Sequence, residues 1–173
     1  YKMLRILGLL GIVAACGMAG ILKTKDLKRR VILLEDYLRM IIEIKGQINY
    51  FREPLPDIFD KLRKNGDSKA FSLLNGLRDE IGEKGGDMVK IWPLKIEETY
   101  KNEPLKEDDM DIFRYPGEFM GQTDYDNHIY HFSYVEDKLQ KQIEDAREEL
   151  RQKGPMYGRI GFFLGAMIAI IFI

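Results

Sequence analysis

The sequence predicts an all-α, membrane-anchored protein. It reads as an antiparallel helical bundle of two long helices and several short ones, with a transmembrane helix at each end. Three observations carry that reading. Apolar residues recur at helical spacing throughout the charged middle of the chain, the two ends are apolar runs, and each run is flanked on its inner side by Lys and Arg.

The first run, residues 3–22, is interrupted only by Arg5. A bilayer core of about 30 Å needs roughly 20 helical residues, so this run is long enough to span. The second run, residues 160–173, reaches only about 21 Å at the helical rise of ~1.5 Å per residue. It spans if the helix starts near residue 156 or the membrane thins around it. Lys23, Lys25, Lys28, Arg29 and Arg30 follow the first run, and Arg147, Arg151, Lys153 and Arg159 precede the second. Both flanks place residues 23–159 on the cytoplasmic side.

Small residues recur at every fourth position in both runs: Gly11, Ala15 and Ala19 in the first, Gly161, Gly165 and Ala169 in the second. Such stripes let helix backbones approach closely in lipid, which predicts packing between the spans or between copies in a homo-oligomer. An alternative reading of the N-terminus is a lipoprotein signal, because Val13-Ala14-Ala15-Cys16 resembles a cleavage box with a lipidated Cys16. The apolar run continues past Cys16 to Leu22 and then meets a basic cluster, which favours a stop-transfer segment. Cys16 is the only cysteine, so no intrachain disulfide is possible.

The middle region is one helical domain. Val31, Leu34, Leu38, Ile41, Ile48 and Phe51 fall at steps of three, four and seven, giving a long helix that grows out of the first span. Pro54 and Pro56 end it and open a short helix, with Asp57 favourable near the positive end and Ile58, Phe59 and Leu62 inward. Asn65-Gly66-Asp67 marks a turn, and Ser68 caps a third helix carrying Phe71, Leu74 and Leu77. Gly82 to Gly86 breaks the chain before a fourth helix with Val89, Trp92 and Ile96, in which Pro93 belongs near the first turn or makes a kink. Glu107, Asp108, Asp109 and Asp111 open a short fifth helix and compensate its dipole. Tyr115-Pro116-Gly117 interrupts. Gly121 leads into the last long helix, with Thr123 as its cap and Asp124 in its first turn. Ile129, Phe132, Leu139, Ile143, Ala146 and Leu150 form a near-heptad seam suited to packing along the first long helix, and Gly154-Pro155 ends it.

Chemistry-bearing motifs are scarce. There is no Gly-rich phosphate loop, no nucleophile elbow, no HExxH and no calcium-loop spacing, so no cofactor is expected. Acidic and basic residues number 28 and 27, and the basic clusters sit beside the apolar ends, so nucleic acid is not an expected partner whereas membrane lipid is. One constellation supports an alternative function: Asp124, His128 and His131 share a helical stripe and would suit a metal-dependent membrane enzyme. No second carboxylate–histidine set faces them, and solvent-facing or interface histidines are the default. Trp92, Tyr37, Tyr50 and Tyr100 read as core or rim aromatics.

The amphipathic run Leu34 to Phe59 with Pro54-Leu55-Pro56-Asp57, the isolated Trp92, and Met120-Gly121-Gln122-Thr123-Asp124 opening the last helix resemble the stage III sporulation protein AB family. The apolar ends fit as well, so the resemblance covers nearly the whole chain. It implies a helical domain similar to the F-type platform proteins of type II secretion, working in a channel-like complex between mother cell and forespore. It also implies other stage III sporulation proteins and a secretion-type ATPase as partners, and a place in the mother-cell membrane facing the forespore. Pro54, Pro56, Gly121, Thr123 and Asp124 would then be structural caps and turns, and no catalytic residue carries over. The chain departs from the family pattern where Pro116-Gly117 replaces a Leu-Gly pair, where Met120 replaces a second Leu and where His128 replaces Gln. The expected function is therefore a non-enzymatic membrane platform.

Overall fold

Two helices far longer than the rest dominate the structure: α1 runs unbroken over Lys2–Phe51 and α7 over Tyr125–Ile171. Between them come α2 (Leu55–Leu62), α3 (Lys69–Lys84), α4 (Met88–Tyr100), α5 (Glu107–Arg114) and α6 (Pro116–Met120). The computed structural model describes residues 2–51, 54–64, 68–84, 87–120 and 125–171. Within its helices the side chains of residues 2–10, 12, 13, 76, 78, 79, 82–84, 125, 126, 162, 165, 166, 169 and 171 lie outside that description. The described elements are all α-helical, which agrees with the predicted helical bundle.

The chain divides into two compact units. One is Val31–Glu144; the other joins Tyr1–Arg30 with Asp145–Ile173, so each long helix contributes to both. We call them the core unit and the end unit.

The core unit closes around large side chains. From α1 it buries Leu33, Leu34, Tyr37, Met40, Ile41, Ile44 and Ile48, and from α7 Phe132, Val135, Leu139 and Ile143. That α1 stripe is wider than the predicted one and omits two of its members: Leu38 is half-buried and Phe51 is exposed. The short helices explain the width. α2 brings Ile58, Phe59 and Leu62, α3 brings Phe71, Leu74 and Leu77, and α4 brings Trp92, Ile96 and Tyr100 into the same core, and Tyr37 of α1 meets Tyr100 of α4 edge-on and stacks on Phe113 of α5. Lys45 on α1 pairs with Glu136 on α7 at 2.8 Å, tying the long helices together at the rim.

Local starts and stops follow from caps. Pro54 precedes α2, and its carbonyl accepts the first turn's N–H groups from Asp57 at 3.0 Å and Ile58 at 3.2 Å. The Ser68 hydroxyl accepts the Phe71 N–H at 3.5 Å before α3, and the Asp87 carboxylate accepts that of Val89 at 3.1 Å before α4. In α5 the carboxylate of Asp109 reaches back to the Lys106 N–H at 2.9 Å, the return half of a capping box, so Asp109 is buried and not one more solvated charge. Asp109 therefore does more than offset a dipole.

Of the expected breaks, the one at Gly154-Pro155 is not a break, and the others are narrower than the sequence suggests. Pro93 lies well inside α4, and α4 tolerates it where the turn that loses a hydrogen bond carries the exposed Val89. The break expected at Gly82 to Gly86 begins only after Lys84, where α3 ends, and the interruption at Tyr115-Pro116-Gly117 is the single residue Tyr115 between α5 and α6. Gly154-Pro155 lies within α7 and does not end it. There Gly154 is buried against Leu150 and Thr24, while Pro155 itself is exposed. Packing on one side and water on the other hold the helix through its proline.

In the end unit, α1 and α7 pack antiparallel. Cys16 lies against Gly161, Gly20 against Tyr157, Thr24 against Gly154, and Arg30 against Glu149. A Cβ on Gly161 would meet the Cys16 carbonyl oxygen at 2.6 Å, and one on Gly20 would strike the carbonyl oxygen of Tyr157. These glycines let two backbones touch. Further along, the Thr24 hydroxyl donates to the Gly154 carbonyl at 3.1 Å, and Arg30 pairs with Glu149 at 3.1 Å with its side chain only 4 % exposed.

The predicted spans at residues 3–22 and 160–173 need restating. Among the described residues no helix is long and apolar enough to cross a membrane. Described side chains in the first run begin at Gly11 and meet Lys23, and those of the second begin just after Arg159, with several positions on both runs undescribed. Each described apolar stretch falls short of a bilayer.

Candidate functional site

The carbonyl of Phe113 organises the core unit. It belongs to the last turn of α5, where helical carbonyls have no intrahelical donor. The Tyr37 hydroxyl and the Trp92 indole N–H both donate to it, each at 2.7 Å, so an orphan acceptor and two buried donors satisfy one another. The Phe113 ring stacks on Tyr37 at 3.8 Å and meets Tyr100 edge-on at 5.0 Å. Burial, then the neighbouring Tyr100, push the Tyr37 phenol well above its ordinary range, with Trp92 acting in the opposite direction. Gly117 lets α6 close on this centre, because a Cβ there would lie 2.8 Å from the Cβ of Trp92.

A second aromatic group surrounds Phe119. His131 stacks on it at 4.9 Å, while Phe132 and His128 meet it edge-on at 4.9 and 6.0 Å. The Tyr115 hydroxyl lies 2.7 Å from His131 Nδ1, and its ring is 5.5 Å from that of Tyr134. Burial, then Glu118 and the neighbouring tyrosines, raise the Tyr115 phenol above its ordinary value. Beside this group a groove of about 370 Å³ opens to solvent, lined by Asp111, Ile112, Tyr115, Tyr130, Tyr134 and Val135. Tyr130 is 71 % exposed. Arg114, paired with Asp111 and Glu107 at 2.8 Å and with Glu97, places charge on α5 near Asp111 of the groove. Tyrosines around a shallow groove with charges close by are the composition of a protein-docking surface more than of a reaction site.

The positions singled out from the sequence fall in different places. Pro54 precedes α2, and Pro56 and Asp57 occupy its first turn. Gly121, Thr123 and Asp124 lie outside the described residues. His128 is buried and His131 half-buried in the Phe119 cluster, and no group of three His, Cys, Asp or Glu among the described residues could hold a metal ion. Trp92, Tyr37 and Tyr100 are core residues, and Tyr50 is exposed.

The α1 small-residue stripe is out of phase with the observed contact, whereas Gly161 of the α7 stripe lies in it. Nothing among the described residues lies within 4 Å of a Cβ placed on Gly11, and Ala15 and Ala19 are exposed. The touching positions are Cys16 and Gly20 on α1 and Tyr157 and Gly161 on α7, while Gly165 and Ala169 lie outside the described side chains. Gly20 was the missed residue, and its spacing of four from Cys16 was the available signal. Cys16 itself is half-buried within α1.

Comparisons with known proteins agree with this architecture. A family model described as "Stage III sporulation protein AB (spore_III_AB)" matches residues 5–173. A solved structure titled "Stage III sporulation protein AB (SpoIIIAB)" superposes with a TM-score of 0.64 at 16 % identity, covering 70 % of this chain and 96 % of that one. At that identity the likeness is one of fold. No curated protein matches the chain. The family model takes in both apolar ends as well as the core unit, and the chain therefore belongs to the stage III sporulation protein AB family.

Proposed function

We propose that this chain is a non-enzymatic platform subunit of a sporulation membrane complex between mother cell and forespore. Its apolar ends sit in the mother-cell membrane, and its core unit, on the cytoplasmic side, docks other stage III sporulation proteins and a secretion-type ATPase. The observation that carries this reading is continuity. α1 and α7 each run without a break from an apolar end of the chain into the core unit, so a load on the docking surface is transmitted to the membrane segments along two helices. The groove between Tyr115, Tyr130 and Tyr134 is the docking face with the strongest composition.

Membrane insertion draws support from the end unit's surface. Met18, Ile21, Leu22, Phe163, Met167 and Ile170 are all exposed, a pattern costly in water and natural in lipid. With residues 3–10 included, the first run has the length of a span.

Co-purification from sporulating cells tests the proposal. The intact chain should bring down other stage III proteins, and Tyr130→Ala with Tyr134→Ala should weaken that recovery by about tenfold or more while leaving Trp92 fluorescence unchanged. Recovery of the chain alone under conditions that preserve the complex would overturn the docking role.

A further inference from the structure

The cations of the end unit fall into two groups. One group is paired with carboxylates: Arg30 with Glu149 at 3.1 Å, Lys153 with the same carboxylate at 2.7 Å, and Arg151 with Glu148 at 2.7 Å. The other, Lys23, Lys25, Lys28 and Arg159, has no carboxylate partner among the described residues, although the same unit supplies Asp26, Asp145, Glu148 and Glu149.

The antiparallel register brings Lys23, Lys25 and Arg159 to neighbouring levels. Thr24 touches Gly154, so Lys23 and Lys25 stand beside the start of the exposed α7 stripe at Pro155 and Met156. Arg159 lies one turn further, about 6 Å along the helix. A guanidinium on its apolar stem can reach back over that distance. Arg159 also shares a groove of about 560 Å³ with Met156, Ile160, Phe163 and Leu164. Such a groove, apolar along its length with a single charged group among its lining, matches an acyl chain carrying an anionic head.

We propose that Lys23, Lys25, Lys28 and Arg159 form a binding band for anionic phospholipid. Arg159 takes the lipid phosphate, and Met156, Ile160 and Phe163 take an acyl chain. The inference rests on the membrane-anchored reading above and adds to it a headgroup preference. A cation near an anionic surface favours it by about five-fold, which is the scale of preference expected from Arg159 alone.

The test uses the full chain in membranes of equal parts phosphatidylglycerol and phosphatidylcholine, extracted in mild detergent and purified with its retained lipid. The intact chain should carry phosphatidylglycerol at about five-fold or more over phosphatidylcholine. Arg159→Gln should lose most of that enrichment, and adding Lys23→Gln, Lys25→Gln and Lys28→Gln should bring the ratio to that of the membrane, with Trp92 fluorescence unchanged throughout. A bulk lipid ratio on the intact chain, or enrichment that survives all four substitutions, overturns the proposal. Displacement of the retained lipid by inorganic phosphate would show a site for the free ion and overturn it too. A chain absent from the membrane fraction would overturn this inference together with the anchored reading, whereas a chain present with unselected lipid overturns the inference alone.

Discussion

The core unit and the end unit use the same two helices and solve opposite problems. In the core unit, five short helices cover α1 and α7 until Tyr37, Trp92, Phe113 and Phe132 are almost wholly enclosed. In the end unit, the helices have only each other. Two round cylinders in contact bury a narrow stripe, so the apolar side chains elsewhere on their surfaces, among them Met18, Leu22, Phe163 and Met167, remain exposed. What joins them is backbone proximity at Gly20 and Gly161 and the polar contacts of Thr24 and Arg30. The core unit holds itself together, while the end unit depends on its surroundings to cover its outer faces.

The sequence provides a separate probe for each. Its only tryptophan, Trp92, lies in the core unit and its only cysteine, Cys16, in the end unit. Indole fluorescence and thiol labelling therefore report on different parts of one chain. Phe113→Ala should produce the largest effect, a loss of about 4 kcal/mol from the core unit, because it removes a buried ring stacked on Tyr37 and edge-on to Tyr100. Denaturant titration followed by Trp92 fluorescence measures it. Labelling of Cys16 in the folded chain should stay the same, and a matching rise would show that the two units unfold as one.

Glu149→Ala reverses the assignment. It removes the carboxylate between Arg30, which is buried, and Lys153, at a cost of about 3 kcal/mol. Cys16 labelling should accelerate while the Trp92 transition keeps its midpoint. Gly161→Val comes next, at about 2 kcal/mol, since its side chain must displace the Cys16 backbone. A Gly11→Val control should leave labelling unchanged, because nothing among the described residues lies within 4 Å of a Cβ placed there. Equal effects of the two valines would mean that lipid or another copy, and not α7, sets the packing at Gly161.

These outcomes also mark where sequence pattern is informative. Helical spacing identified Val31, Leu34, Ile41 and Ile48, all of which are buried. It passed over Leu33, Met40 and Ile44, whose burial depends on short helices arriving from elsewhere in the chain. Tyr37 and Tyr100 were legible as aromatics of the core or its rim, but their full enclosure was not. The Phe113 carbonyl was invisible, since a main-chain acceptor has no signature in a side-chain pattern. Gly154-Pro155 misled for a related reason: local propensity marks a stop, and the buried seat of Gly154 against Thr24 and Leu150 overrides it. Small-residue spacing pointed to Gly161 on α7, but on α1 it could not fix the phase, because Ala15 and Ala19 satisfy the same rule as Cys16 and Gly20.

Tyr37→Phe gives the smallest effect and the finest separation of the two units. The Phe113 carbonyl keeps its bond from Trp92, so the loss at neutral pH is about 1 kcal/mol. At alkaline pH the difference narrows. Burial holds the Tyr37 phenol neutral in the folded chain well above the ordinary value of 10.0, whereas the unfolded chain releases that proton near 10.0. The unfolded state then binds fewer protons than the folded one, so the contribution of Tyr37 is complete below pH 10.0 and falls as pH rises above it. Trp92 fluorescence should show the core unit weakening across that range in the parent chain and more shallowly in Tyr37→Phe, so that the two stabilities converge. Parallel curves would mean that Tyr37 ionises as readily in the folded chain as in the unfolded one, and that the core unit is as open to its surroundings at this point as the end unit is along its outer faces.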